Sequence, residues 1–465
     1  MNLEKYSNNT CLVTKSETLT YDDLLKESKK IESLLSENKN LILIKSKCNI
    51  ETIVGYIASL RSNSTVIMLD SDLDEELTNN ITTTYLPNFI WESIDECCED
   101  YIYKYKDYGL KIHSKSKINL HKDLALMLST SGSTGSPKMV KLTKNNICSN
   151  TNSIVNYLNL DNKSVPITNL PLHYSFGLSI LNTHLSVGSK IVVTEDSIMS
   201  KDFWELFNIN NVTTLSGVPY TFDILKKIGF FKMKLPSLKY ITQAGGKLNS
   251  KLIEEYYNFS KANNIKFYVM YGQTEATARI SYLPYSEVMT KNMSIGIAIP
   301  DGELYIQNLE TKEKIEKTYE SGELVYKGSN VMMGYANNLD DLSTGDTMNS
   351  TLFTGDLAYK DEDNYFYITG RIKRFIKIFG NRISLDEIEN HLKSISFDVI
   401  CTGEDNKIIV YTVNADDIEP IKLEIIKKYK LHHSTIIVKY IDKFPVSNSG
   451  KIQYQDLLKE YNNGN

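Results

Sequence analysis

The sequence predicts an α/β protein: a large N-terminal domain of several α/β layers built on parallel sheet, followed by a small C-terminal α+β domain. Two observations carry this expectation. Short β-branched runs alternate with longer amphipathic stretches through most of the chain, the rhythm of βαβ units. Past Gly370 that texture changes. The length, 465 residues, suits two or three domains at roughly 100 to 200 residues each.

Taken in order, Leu41 to Ile44 reads as a buried strand, Ile50 to Ser62 as a helix and Thr65 to Leu69 as the next strand, one βαβ unit. Ile191 to Val193, Val212 to Leu215, Leu238 to Ile241 and Ile265 to Met270 repeat the pattern. Ligand sites in such sheets lie beyond the carboxyl ends of the strands, so the loops after these runs are where chemistry is expected. Ser384-Leu-Asp-Glu387 has capping-box spacing, and Leu385, Ile388 and Leu392 follow at helical intervals, so a helix starts there. Lys407 to Val413 and Thr435 to Val438 are strand-like. The expected domains are 1–372 and 373–465, joined by the charged segment Arg371-Ile-Lys-Arg374.

Composition excludes several function classes. Hydrophobic residues at 41% and charged residues at 23% are ordinary globular values and leave no case for disorder. A net charge of −5 with no arginine-rich stripe argues against nucleic acid as a partner. No stretch approaches the roughly 20 apolar residues that span a bilayer, and the polar amino terminus has no leader-like apolar segment, so no membrane insertion and a cytoplasmic location are expected. Six cysteines without C-x-x-C pairing read as reduced structural thiols. Adjacent His432 and His433, read as part of an extended segment, would face opposite ways and hold no metal.

The first segment that carries chemistry is Ser129-Thr-Ser-Gly-Ser-Thr-Gly-Ser-Pro-Lys138. Backbone N–H groups and small hydroxyls can wrap a polyphosphate there, with Lys138 as counter-charge. It lacks Walker A spacing, and Pro137 stands where a Walker loop would enter its helix. The segment resembles the phosphate loop of the adenylate-forming (AMP-binding) superfamily, which includes acyl-CoA synthetases, nonribosomal peptide adenylation domains and firefly luciferase. Tyr271-Gly-Gln-Thr-Glu275 is similar to that family's aromatic-Gly-x-Thr-Glu element. Ala244-Gly-Gly246, Thr354-Gly-Asp356, Gly370-Arg371, Phe375 to Gly380 and Pro445 to Lys451 match further family elements in the family's order.

The resemblance implies roles. ATP and Mg²⁺ are the cofactors, and coenzyme A or a phosphopantetheine arm is the acyl acceptor. Ser131, Thr134 and Lys138 would hold the β- and γ-phosphates. Tyr271 would lie against adenine where Gly245 and Gly246 turn, Thr274 would contact the α-phosphate, and Glu275 would be the metal ligand. Asp356 would bind the ribose hydroxyls and Arg371 the nucleotide near the domain joint. Lys451 would meet carboxylate and α-phosphate as the catalytic cation. Lys373 would be the hinge about which a mobile C-terminal domain rotates, and Gly380 would lie on the thiol approach. No step calls for a protein nucleophile.

For the acyl pocket the resemblance points to His173, Tyr174, Phe176, Gly177, Ala244 and Ala276. Amino-acid-activating members commonly have Phe-Asp where this chain has Phe176-Gly177, and a buried ammonium without a carboxylate is costly. A small, neutral-tailed carboxylic acid is therefore expected, with an acyl carrier protein as a possible partner. His173 either lines the pocket or is a satisfied core histidine. A stand-alone amino-acid adenylation protein, a nucleotide-binding pseudoenzyme scaffold and a Walker-type NTPase are the alternatives.

Overall fold

A computed structural model describes residues 2–35, 38–95, 100–129, 138–379, 381–446 and 452–463. The chain divides into two compact units, Met1–Glu303 with Tyr326–Leu352, and Leu304–Val325 with Phe353–Asn465.

The first unit is built on an eight-stranded sheet. Its order is Gly334–Ala336, Met139–Thr143, Leu124–Ser129, Thr65–Asp70, Leu41–Ser46, Phe89–Ser93, Tyr108–Ile112 and Tyr101–Tyr105. The middle four strands are parallel, and their near-continuous apolar runs are what a sheet covered on both faces requires. The helix Ile50–Arg61 starts at Asn49, whose side chain accepts from the Thr52 amide. It packs into one core with Leu24 and Ile31 of the helix Tyr21–Leu35. The strands Leu124–Ser129 and Met139–Thr143 are antiparallel, with Ser129 opposite Met139.

A second sheet in this unit has Thr214–Gly217, Tyr240–Gln243 and Lys266–Tyr271 in parallel, then Ser281–Leu283 and Ile297–Ala298 antiparallel. Two of these strands begin two residues later than their apolar runs suggested. Ser216, Thr242 and Gln243 continue the ladder although they are polar. The Ser216 and Thr242 hydroxyls bond each other across it at 2.8 Å, so their burial costs little.

A sheet most of whose residues fall in the second unit has the order Lys314–Ile315, Glu303–Gln307, Gly322–Lys327, Thr351–Lys360, Phe366–Arg371. The hairpin Phe375–Ile378 with Asn381–Ser384 and the sheet Val399–Glu404, Lys407–Thr412, Ile436–Tyr440 share a core with the helices Leu385–Ser394 and Ile418–Tyr429. Ser384 caps its helix by accepting from the Glu387 amide. Glu389 is buried yet fully engaged: Arg374 at 3.0 Å, Lys393 at 2.6 Å, the Tyr454 hydroxyl at 3.2 Å and the Cys401 amide at 3.0 Å all donate to it. Such a carboxylate is tolerated because every lone pair has a donor. His432 and His433 do not face opposite ways as an extended segment would require. They enter a 3-10 turn with ring centroids 4.3 Å apart.

Candidate functional site

The loop after Lys266–Tyr271 lies where a parallel strand ends, the position at which α/β sheets place ligands. Its backbone is tightly held. The Asn330 amide donates to the carbonyls of Ala276 at 2.8 Å and Arg279 at 2.9 Å, and Asn150 reaches the Arg279 carbonyl at 3.1 Å. Thr277 sits at φ +66°, a costly value for a β-branched residue, and its hydroxyl is fixed by the Asn330 carbonyl at 2.7 Å.

On this frame the Tyr335 hydroxyl donates to Glu275 Oε1 at 2.9 Å, while the Lys138 ammonium stands 3.5 Å from the centroid of the same ring. One tyrosine therefore links the lysine that follows the phosphate loop to the carboxylate of the Thr274-Glu275 turn. Burial, reinforced by the Glu275 charge, pushes the Tyr335 phenol up, so it stays a proton donor. Sequence reasoning missed Tyr335, 60 residues from its carboxylate. Thr274 Oγ1 lies 3.3 Å from the Ser175 hydroxyl, and the Gln273 amide donates to the Tyr271 hydroxyl at 3.1 Å.

Gly245 adopts φ +84°, and a Cβ there would stand 2.8 Å from the Tyr174 hydroxyl. Only glycine lets this turn close on the ring. Ala244, Phe176 and Tyr174 belong to one apolar cluster with Val218 and Met270, and Ala276 is fully buried. Gly177 lies in the helix Ser175–Ser186, where a Cβ would overlap the carbonyl oxygens of Pro171 and Leu170. His173, four positions earlier, has Nδ1 3.4 Å from the Ser46 hydroxyl and Nε2 3.7 Å from Asp70, at the carboxyl ends of two strands of the large sheet. Burial holds the His173 imidazole below its ordinary range, partly offset by Asp70.

In the second unit, Asp356 and Arg371 are paired across two adjacent strands. Arg371 Nε donates to Asp356 Oδ1 at 3.0 Å; the carboxylate is 3% exposed and the arginine side chain 65%. The Arg371 amide donates to Asp386 at 2.8 Å. Lys373 falls in the turn Ile372–Arg374. Ser131, Thr134, Gly380 and Lys451 lie outside the described residues.

Residues 1–336 match the family model described as AMP-binding enzyme. A D-alanine--D-alanyl carrier protein ligase of Listeria monocytogenes serotype 4b (strain F2365) is 26% identical, over 99% of this chain and 97% of that protein. A 2-succinylbenzoate--CoA ligase of Staphylococcus epidermidis (strain ATCC 35984) is 27% identical, over 97% of this chain and 95% of its own. In fold, the chain is similar to O-succinylbenzoate coenzyme A synthetase from Bacillus subtilis in complex with AMP. The TM-score is 0.78 at 22% identity, covering 98% and 97% of the two chains. ATP-bound MatB from Rhodopseudomonas palustris gives 0.79 at 19%, covering 99% of each chain.

Proposed function

The chain belongs to the AMP-binding enzyme family, and from that premise we propose that it is an AMP-forming acid–thiol ligase. A carboxylate oxygen of the acid attacks the α-phosphorus of ATP, the bond to the β-phosphate oxygen breaks, and pyrophosphate leaves. The thiol sulfur of coenzyme A or of a carrier protein's phosphopantetheine then attacks the acyl carbon and expels AMP. The single observation that carries the reading is the linked set Lys138, Tyr335 and Glu275 beside Thr274. It brings together a cation, a hydrogen-bond donor and a carboxylate, the kinds of group that binding a metal-complexed triphosphate calls for.

Magnesium suits this donor set. It takes one or two protein carboxylates and completes its shell with phosphate and water, and Glu275 offers such an oxygen with its rotamer fixed by Tyr335. When bound it would neutralise phosphate charge. The chain's own part is to orient: Lys138 and the hydroxyls of Ser131 and Thr134 hold the outer phosphates, Thr274 the α-phosphate, and Tyr271 the adenine over the Gly245-Gly246 turn. Asp356 takes the ribose hydroxyls, Arg371 assists, and Lys451 brings carboxylate and α-phosphate together. Lys373 serves as hinge and Gly380 as part of the thiol approach. Tyr174, Phe176, Gly177, Ala244 and Ala276 shape the acyl pocket.

Gly177 supports an acid without an α-ammonium. The aspartate that would pair with an ammonium is absent, and the carbonyls of Pro171 and Leu170 leave no room for one. Among the described residues no helix is long and apolar enough to cross a membrane, in keeping with a cytoplasmic enzyme.

The test is pyrophosphate release from ATP and Mg²⁺ across short, medium, aryl and amino acids, each with and without coenzyme A. Release that requires one acid class and quickens with coenzyme A is expected for an acyl-CoA ligase. Release indifferent to coenzyme A points to a carrier protein. Lys451→Ala is expected to keep ATP binding and lose most adenylation; unchanged acid-dependent turnover in that variant refutes the reading.

A further inference from the structure

Arg279 lies in this region, and the family roles leave its chemistry unused. It is 3% exposed, and its guanidinium carbon lies 3.9 Å from the centroid of the Phe176 ring. Its Nε is buried and, among the described residues, has no hydrogen-bond partner. The polar groups around the guanidinium are the phenols of Tyr157, which is hydrogen-bonded to it, and Tyr174; both are neutral, and among the described residues no carboxylate pairs with it. Taking an arginine out of water without a counter-anion costs several kcal/mol, because its pKa is too high for it to neutralise readily. An aromatic face returns only about 0.5 to 2 kcal/mol of that. A buried guanidinium in this state is complementary to an anion that the folded chain does not itself supply.

Its position says where that anion comes from. Phe176 and Tyr174 stand at the start of the helix Ser175–Ser186, and the Tyr174 hydroxyl closes on Gly245. Tyr157 is stacked on Tyr282 at 4.2 Å, so the aromatic wall behind the guanidinium is rigid. The Arg279 carbonyl is held by both Asn150 and Asn330. The cation is therefore preorganised against the residues of the acyl pocket, as a selective polar contact must be.

Resting on the ligase reading above, we propose that Arg279 is the specificity residue of the acyl pocket and that it receives a second carboxylate on the tail of the acid. The guanidinium fork matches a carboxylate bidentately. The substrate class becomes a dicarboxylic acid, one carboxylate adenylated and the other bound, in place of the neutral tail expected from the sequence. The same cation opposes the ammonium of an amino acid, in agreement with Gly177.

The experiment compares matched acids on the full chain by ATP- and Mg²⁺-dependent pyrophosphate release: adipate against hexanoate, and 2-succinylbenzoate against 4-oxo-4-phenylbutanoate. The wild type is expected to favour each diacid at least tenfold in kcat/KM. Arg279→Met is expected to lower that value for diacids at least tenfold, mainly through KM, while monoacids change less than threefold. Arg279→Lys, which keeps the charge, should restore part of the preference, and it serves together with wild-type selectivity if Arg279→Met does not fold. Monoacids or D-alanine preferred by the wild type, or an equal loss for both acids in Arg279→Met, overturn the assignment and leave the ligase reading standing. ATP binding without pyrophosphate release for any acid overturns the ligase reading, and this assignment with it.

Discussion

His184 lies two turns beyond Phe176 on the helix Ser175–Ser186, and it gives that helix an acid limit. Its Nδ1 is 2.8 Å from the Ile180 carbonyl, so Nδ1 carries the proton and donates, while Nε2 is buried with no partner. Protonating Nε2 would place a charged N–H where nothing accepts it, and burial accordingly holds the imidazole down to about 4 against an ordinary 6.5. The unfolded chain takes up this proton below 6.5 and the folded chain does not. The contribution is therefore fully present above pH 6.5 and lost as pH falls towards 4. Linkage gives a loss of about 2 kcal/mol between pH 7 and pH 5 and about 3 kcal/mol by pH 4. The assay is urea unfolding at pH 7 and pH 5, where carboxylates stay largely ionised, on wild type and His184→Phe, which keeps the ring volume and cannot titrate. The wild type should lose about 2 kcal/mol more than the variant across that interval. Parallel losses in the two proteins would show that His184 does not stay neutral in the fold, and the reasoning from its unpartnered nitrogen would fail.

Two substitutions probe the site more directly. Gly177→Asp, the change that the amino-acid-activating pattern suggests, is expected to gain no alanine-dependent pyrophosphate exchange and to lower stability by about 1 to 3 kcal/mol, because its Cβ meets two carbonyl oxygens. Alanine activation by that variant would refute the packing argument. Asp356→Asn keeps the shape and removes the charge that faces Arg371. At about 1.5 to 3 kcal/mol for a hydrogen bond to a charged group, KM for MgATP should rise about ten- to a hundred-fold, and an unchanged KM would remove Asp356 from the nucleotide site.

What was legible in the sequence follows from which residues burial selects. Leu41 to Ile44 and Thr65 to Leu69 are buried on both faces, so their apolar runs announce strands, and the capping box at Ser384 marks its helix from spacing alone. The strands Thr214–Gly217 and Tyr240–Gln243 were misplaced by two residues for a physical reason. Their carboxyl ends carry Ser216, Thr242 and Gln243 towards the loops that hold the site, and these polar groups are satisfied across the ladder and by Gly246 rather than by water. Hydropathy sees loop where the chain has strand. Tyr335 and Asn330 were invisible for another reason: their partners lie 60 and 54 positions away, so no local spacing signals them.

Substrate class depends on the same long-range placement. On its sequence Gly177 speaks only through an absence: the lack of a carboxylate removes the partner of an ammonium but leaves every other acid open. No local spacing singles out Arg279, four positions past Glu275; only the fold, which buries it against Phe176, does so. Once it is there, the sign of the pocket is set. A charge about 6 Å from a guanidinium in a medium of effective dielectric about 20 feels roughly 3 kcal/mol. An ammonium is disfavoured by that amount and a carboxylate favoured by it, so exchanging one tail for the other spans about 6 kcal/mol, before any hydrogen bond to the idle Nε is counted. Discrimination of that size between an amino acid and a dicarboxylic acid needs no aspartate at 177 and no clash with substrate. It needs only that the guanidinium stay dry, which is what Tyr157, Phe176 and the clamped Arg279 backbone provide.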